Sequence, residues 1–241
     1  MKRVRLRVFA FIAYVLGALT MARTQTLSPP IAEYRNKADG MLTLSNEGDR
    51  PLAAILEVRG FTVDSDGTLR YGPIDNQINV QFGANSFLIP PHQSHYVFYK
   101  AGCARLPCWF AIINTLTQAT PVSGGLRINI ILPHFVYIYQ RAKFKKGDVR
   151  IESFRGEQAG EYRLKFQNLS SKLERVETVQ TKGFEVNETY GGFPLFPEQT
   201  RWLVVKAGAP SRKAEFKIRF GGGLRLTVSP PEKTVAQIPG S

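Results

Sequence analysis

The chain has 241 residues, 43% of them hydrophobic and 21% charged, with a formal net charge of +13. This is globular composition, long enough for two modest domains, and it excludes an intrinsically disordered chain.

The first segment stands apart. MKRVRLR places Lys2, Arg3, Arg5 and Arg7 ahead of the apolar run VFAFIAYVLGALTM, and Ala22 follows with Thr20 two positions before it. Residues 1–22 are expected to be a signal peptide cleaved after Ala22. The run falls short of the roughly 20 residues an uncleaved anchor needs, and no later segment is long and charge-free enough to span a bilayer. The mature protein is expected to be soluble and outside the cytoplasm. Without the four leader cations the net charge is +9, of which +2 belongs to residues 23–141 and +7 to 142–241. That excess would suit an anionic surface or an acidic partner. However, the cations alternate along strands such as EFKIRF, where they face water, and export argues against nucleic acid as a partner.

After the leader the chain reads as strands. MLTLSN, LAAILEVRGFTV, INVQF, NSFLI, HYVFYK and CWFAIINT succeed one another, separated by Gly, Pro, Asn and Asp, without a long amphipathic helical pattern. This spacing predicts a β-sandwich. Cys103 and Cys108 flank the turn before CWFAIINT. As the only two cysteines of an exported chain they are expected to form a disulfide that pins one loop. Their spacing is too wide for the CxxC of a thiol oxidoreductase.

GGLRINIILPHFVYIYQ, residues 124–140, is apolar almost throughout but contains Pro133. A proline cannot donate a ladder hydrogen bond, so it places this strand at an edge or marks a bulge. Alternation puts Leu126, Ile128, Ile130 and Leu132 on one face, with Arg127, Asn129 and Ile131 on the other. Two readings stay open: the first row meets the protein's own core, or it is offered to a partner across an unpaired edge.

AKFKKGD, residues 142–148, is expected to be a hinge between domains. A second strand series follows in VRIESF, EYRLKFQN, RVETVQTKGFEV, RWLVVKA, AEFKIRF and LRLTVSP. Within it Tyr162, Leu164 and Phe166 share one face, as do Phe216, Ile218 and Phe220. The predicted fold is therefore all-β, with two consecutive immunoglobulin-like sandwiches over residues 23–141 and 149–231 and a loose tail at 232–241.

Motifs that would carry chemistry are weak. His92 and His95 in PPHQSH lack a nearby acidic or cysteine partner in sequence, so PPHQS reads as a turn rather than a metal site. His134 in its apolar strand reads as a satisfied or edge-exposed side chain. No serine sits in a nucleophile-elbow context, and the glycines at 221–223 precede a strand, not the helix a phosphate loop requires. No catalytic residue, metal ligand or cofactor is assigned, and a binding protein is expected rather than an enzyme.

The order of these pieces resembles the periplasmic pilus-assembly chaperones of the chaperone-usher pathway. The match runs from SNEGDRPLAAILEV, with an Asn-Thr-Gly-like turn at Ser45–Gly48, through FLIPPHQSHYVFY, FQNLSSKLERVETV and GGFPLFPEQTRWLVV. LRINIILPHFVY resembles the closing strand of the archaic branch, which often ends in a Pro-Val-Phe-Val-like sequence. The resemblance implies a non-enzymatic periplasmic chaperone without cofactors. It would bind pilin-like subunits by donating its edge strand, through Leu126, Ile128, Ile130 and Leu132, and pass them to an outer-membrane usher. The best-known members hold the subunit carboxylate with an arginine in the first strand and a lysine in the closing strand. Here those positions align by eye with Ile31 and Val136, leaving Arg35, Arg127, Arg141 and Lys143 as other cations within reach. The alternative is an exported two-domain immunoglobulin-like structural or adhesion protein.

Overall fold

The structure is a computed structural model that describes residues 25–119 and 128–231. The expected leader, the tail at 232–241 and both Leu126 and Arg127 lie outside the described residues. Ten strands build the first sandwich: β1 (Thr26–Ser28), β2 (Ile31–Arg35), β3 (Ala38–Asn46), β4 (Leu52–Val63), β5 (Leu69–Gly72), β6 (Ile78–Phe82), β7 (Ser86–Ile89), β8 (Gln93–Cys103), β9 (Cys108–Gln118) and β10 (Asn129–Tyr139). One sheet runs β1-β3-β8-β6; the other runs β2-β10-β9-β4, with β5 and β7 both on β4. After a single 3-10 turn at Lys146–Asp148, the second sandwich contains β11 (Val149–Arg155), β12 (Glu161–Asn168), β13 (Glu174–Phe184), β14 (Thr189–Leu195), β15 (Thr200–Lys206), β16 (Pro210–Phe220) and β17 (Arg225–Val228). Its sheets are β11-β12-β15 and β14-β13-β16-β17. Among the described residues no helix is long and apolar enough to cross a membrane.

The period-two pattern decides the packing. Tyr162, Leu164 and Phe166 of β12 face Phe216, Ile218 and Phe220 of β16 across the second core, all of them buried. In the first sandwich Leu42 and Leu44 of β3 meet Phe110, Ile112 and Leu116 of β9. Burying each such side chain stabilises by about 1.5–3 kcal/mol.

Two strands lack a plain alternating signature. The first strand is split by Pro29 and Pro30, so β1 pairs with β3 in one sheet while β2 pairs with β10 in the other. β14 is masked by two glycines and a proline. It is an edge strand, where Pro194 costs no ladder bond, and a Cβ at Gly192 would collide with the Val176 carbonyl of β13.

One buried asparagine closes the same corner in each sandwich. Asn46, at the end of β3, donates through Nδ2 to the carbonyls of Arg50 (2.8 Å), Ile89 (3.1 Å) and Pro90 (3.1 Å), and its Oδ1 accepts from the Gly48 N–H. Asn168, at the end of β12, donates to Lys172 (2.6 Å), Phe196 (2.8 Å) and Leu195 (3.4 Å), while Oδ1 accepts from the Ser170 N–H. A third apolar cluster joins the sandwiches: Phe61, Ala111 and Tyr137 from the first pack on Leu173 and Phe196 from the second. Around it Gln199 Nε2 donates to the Val63 carbonyl (2.6 Å) and the Trp202 N–H to that of Ser65 (2.9 Å).

Cys103 and Cys108 form a disulfide across the β8–β9 turn. The ring spans only five residues of separation, so loop closure gives it little hold on the unfolded chain. The expected result is that Cys103→Ser combined with Cys108→Ser still folds. Cys108 is buried, and a serine hydroxyl there costs about 1–3 kcal/mol. Thermal melting of that variant, with thiol counting on unfolded, unreduced wild type finding none free, checks both halves.

Candidate functional site: the open edge of β10

β10 pairs antiparallel with β9 along its length, from Asn129↔Thr117 to Ile138↔Cys108. On its other side β2 runs parallel, but only from Phe135↔Ile31 to Tyr139↔Arg35. Among the described residues Asn129–His134 therefore has a bare edge. The Phe135 N–H donates to the Pro30 carbonyl on the β2 side. Backbone groups alternate along a strand, so the nitrogen of Pro133 faces the same side, ahead of the first β2 residue. The proline thus removes no ladder bond, and the register across Pro133↔Ile113 is continuous, without a bulge. The groups left facing outward are the N–H and C=O of Asn129 and Ile131 and the C=O of Pro133.

The two side-chain rows differ. Ile138, Val136 and His134 are fully buried in the first sandwich. Further out on the same face Leu132 and Ile130 are half-buried against that core, and Ile128, just before the strand, is 56% exposed. The row starts inside the protein and runs out past the end of its core. On the opposite face Ile131 is 61% exposed and Phe135 packs on Phe61, with ring centres 5.3 Å apart. The structure thus brings Ile128, Ile130 and Leu132 together, while Leu126 lies outside the described residues.

Asn114 of β9 is the polar residue at a core-facing position of CWFAIINT, and that parity is its one signal in the sequence. It is fully buried opposite Leu132, donates to the Leu132 carbonyl (2.9 Å), and its Oδ1 has no partner among the described residues.

The comparisons fit this architecture. No protein-family model and no curated protein sequence matches the chain. Solved structures do: the class 5 fimbriae chaperone CfaA at a TM-score of 0.52 and 10% identity, covering 86% of this chain and 100% of that one. A chaperone–tip adhesin complex of CFA/I fimbriae biogenesis matches at 0.50 and 11%, covering 86% and 100%. A Salmonella enterica structure of the SafA pilin in complex with the SafB chaperone matches at 0.50 and 12%, covering 87% and 98%. The chain has the fold of the fimbrial chaperones.

Within that fold, the positions aligned by eye carry no cation and are not direct partners. Val136 is fully buried and pairs with Ala32, and Ile31 pairs with Phe135. The cleft between the sandwiches is instead lined by Glu33, Arg35, Tyr139, Glu174 and Arg175. Glu33 Oε1 accepts from the Tyr139 hydroxyl (2.9 Å) and from Arg175 Nη1 (3.1 Å). Burial pushes the Tyr139 phenol and the Glu174 carboxyl above their ordinary ranges. Arg175, which no sequence pattern singled out, is the second sandwich's contribution to this cleft. Of the other cations within reach, Arg141 donates to Asn36 Oδ1 (2.9 Å).

The weaker motifs find structural roles. His92 does have an acidic neighbour, because Asp49 comes from the β3–β4 turn with Oδ1 3.0 Å from Nε2. His95 stacks on Phe87 instead, centres 3.7 Å apart, and among the described residues no three His, Cys, Asp or Glu side chains form a metal-ligand group. His134 is fully buried and hydrogen-bonded at both ring nitrogens. Residues 221–223 form the β16–β17 turn, closed by the Gly223 N–H on the Phe220 carbonyl.

Proposed function

We propose that this chain is a non-enzymatic periplasmic chaperone of pilus assembly. It holds a pilin-like subunit by lending it the outer half of β10, and delivers it to an outer-membrane usher. The observation that carries this reading is the coincidence, on one strand segment, of a bare backbone edge with an apolar row that outruns its own core. A subunit strand pairing with Asn129–Pro133 would satisfy the outward N–H and C=O groups, while Ile128, Ile130 and Leu132 would fill a groove in a subunit that lacks a strand. The neighbour fold includes a chaperone solved with a pilin, which is the kind of partner proposed here.

The test separates capture from folding. Ile130 packs on the chaperone's own core, so Ile130→Asp will both abolish capture and lower the melting temperature. Ile128 is exposed. Ile128→Asp should therefore alter stability by no more than about 0.5 kcal/mol, yet place a carboxylate where the complex must be dry. The expected result is loss of pilin-like subunits from material copurified out of the periplasm, with a nearly unchanged melting curve. Undiminished capture by both variants would remove β10 from the mechanism.

A further inference from the structure

His134 sits in a line of polar groups that crosses the first sandwich from β2 to the Pro29–Pro30 break. The Tyr34 hydroxyl lies 3.1 Å from that of Tyr99, the Tyr99 hydroxyl 2.8 Å from His134 Nε2, and His134 Nδ1 2.6 Å from the Pro29 carbonyl. The line ties β2, β8 and β10 to the corner where the chain passes from one sheet to the other. β3 makes room for it with Gly40, where a Cβ would run into both tyrosine hydroxyls.

The donors and acceptors can be assigned. A carbonyl only accepts, so Nδ1 carries the proton given to Pro29. Nε2 is then the lone pair that accepts from Tyr99, whose oxygen accepts from Tyr34. With the imidazole neutral, the form that burial favours, the line runs one way. A second proton would turn the Nε2 acceptor into a donor, reverse the Tyr99 and Tyr34 hydroxyls, and leave a cation at a fully buried position. The groups facing the ring are the Tyr99 hydroxyl from β8 and the Pro29 carbonyl, with the Tyr34 hydroxyl of β2 behind them; β9 pairs Ile112 with it. None is a carboxylate.

We propose that this relay is an acid-sensitive latch, holding β2 and the β1–β2 corner against β10 while His134 is neutral and releasing them when it is protonated. Burial holds the imidazole below its ordinary range, so the opened state takes up the proton first. The latch is complete above about pH 6.5 and weakens as pH falls below it. Since β2 covers β10 only from Phe135 onward, release lengthens the bare edge that starts at Asn129.

The experiment is residue-resolved amide exchange on the mature chain at pH 7.5 and 5.5, expressed as protection factors, for wild type and His134→Gln. In wild type, Ala32–Arg35 should lose at least tenfold in protection at pH 5.5 while β13 keeps its own, and the glutamine variant should show no such pH-dependent loss. Unchanged protection of β2, or an equal loss across both sandwiches, would overturn the proposal. If the variant does not fold, imidazole nitrogen shifts of wild type decide. A protonation midpoint that coincides with the loss of β2 protection supports the latch, and a ring that protonates without any change in β2 refutes it.

Discussion

Asn168→Ala should cost the second sandwich about 3–5 kcal/mol, much of the 5–15 kcal/mol by which a domain is usually stable. Truncation strands the Lys172 carbonyl, held at 2.6 Å, and the Ser170 N–H, and leaves the Phe196 carbonyl only the Gln199 N–H in a buried corner. Each unmet buried group costs about 1–3 kcal/mol. Asn46→Ala should do the same to the first sandwich through the carbonyls of Arg50, Ile89 and Pro90. Asn168→Asp is the sharper probe. It keeps size and the Oδ1 that accepts from Ser170, but replaces the donating amide with an oxygen aimed at three carbonyls, so it should be at least as damaging as alanine. Urea melts of the three variants check this, and losses under 1 kcal/mol would mean that the corners are held by something else.

That the two sandwiches share this clamp was only half legible. NEGDR and NLSSK both read as turns, and the carbonyl four residues beyond each asparagine is a local target. The other acceptors lie 43 and 44 residues beyond Asn46, and 27 and 28 beyond Asn168, distances at which periodicity is silent. The same limit applies to the Tyr34–Tyr99–His134 line and to the meeting of Glu33 with Arg175, which join strands remote in sequence. What alternation does carry is parity. It assigned Ile128, Ile130 and Leu132 to one face, and the fold class followed from strand spacing. It did not show how far along β10 the backbone edge stays unpaired, because that depends on where β2 begins to cover it. Pro29 and Pro30 set that point by breaking the first strand in two.

Phe196→Ala should uncouple the sandwiches. The ring is buried between them, with its centre 4.8 Å from that of Trp109, 6.0 Å from Phe61 and 6.1 Å from Tyr137. Its own carbonyl is held by Asn168, so the side chain is delivered to the interface by the clamp of the second sandwich. Emptying that space should cost about 3–5 kcal/mol and leave Leu173 as the second sandwich's remaining buried apolar residue at the joint, beside polar contacts such as Gln199 to Val63 and Trp202 to Ser65. These are too few to make two cores melt together. Calorimetry should therefore resolve two transitions where wild type gives one, and small-angle scattering should show a broader spread of sandwich–sandwich distances. The Glu33–Arg175 contact across the cleft is a part-exposed ion pair worth at most about 1 kcal/mol, so it cannot hold the angle alone. A Phe196→Ala protein that still melts in one step, at nearly the wild-type temperature, would assign the coupling to the linker around Asp148 and Lys172, whose 2.6 Å pair would then be the next contact to cut.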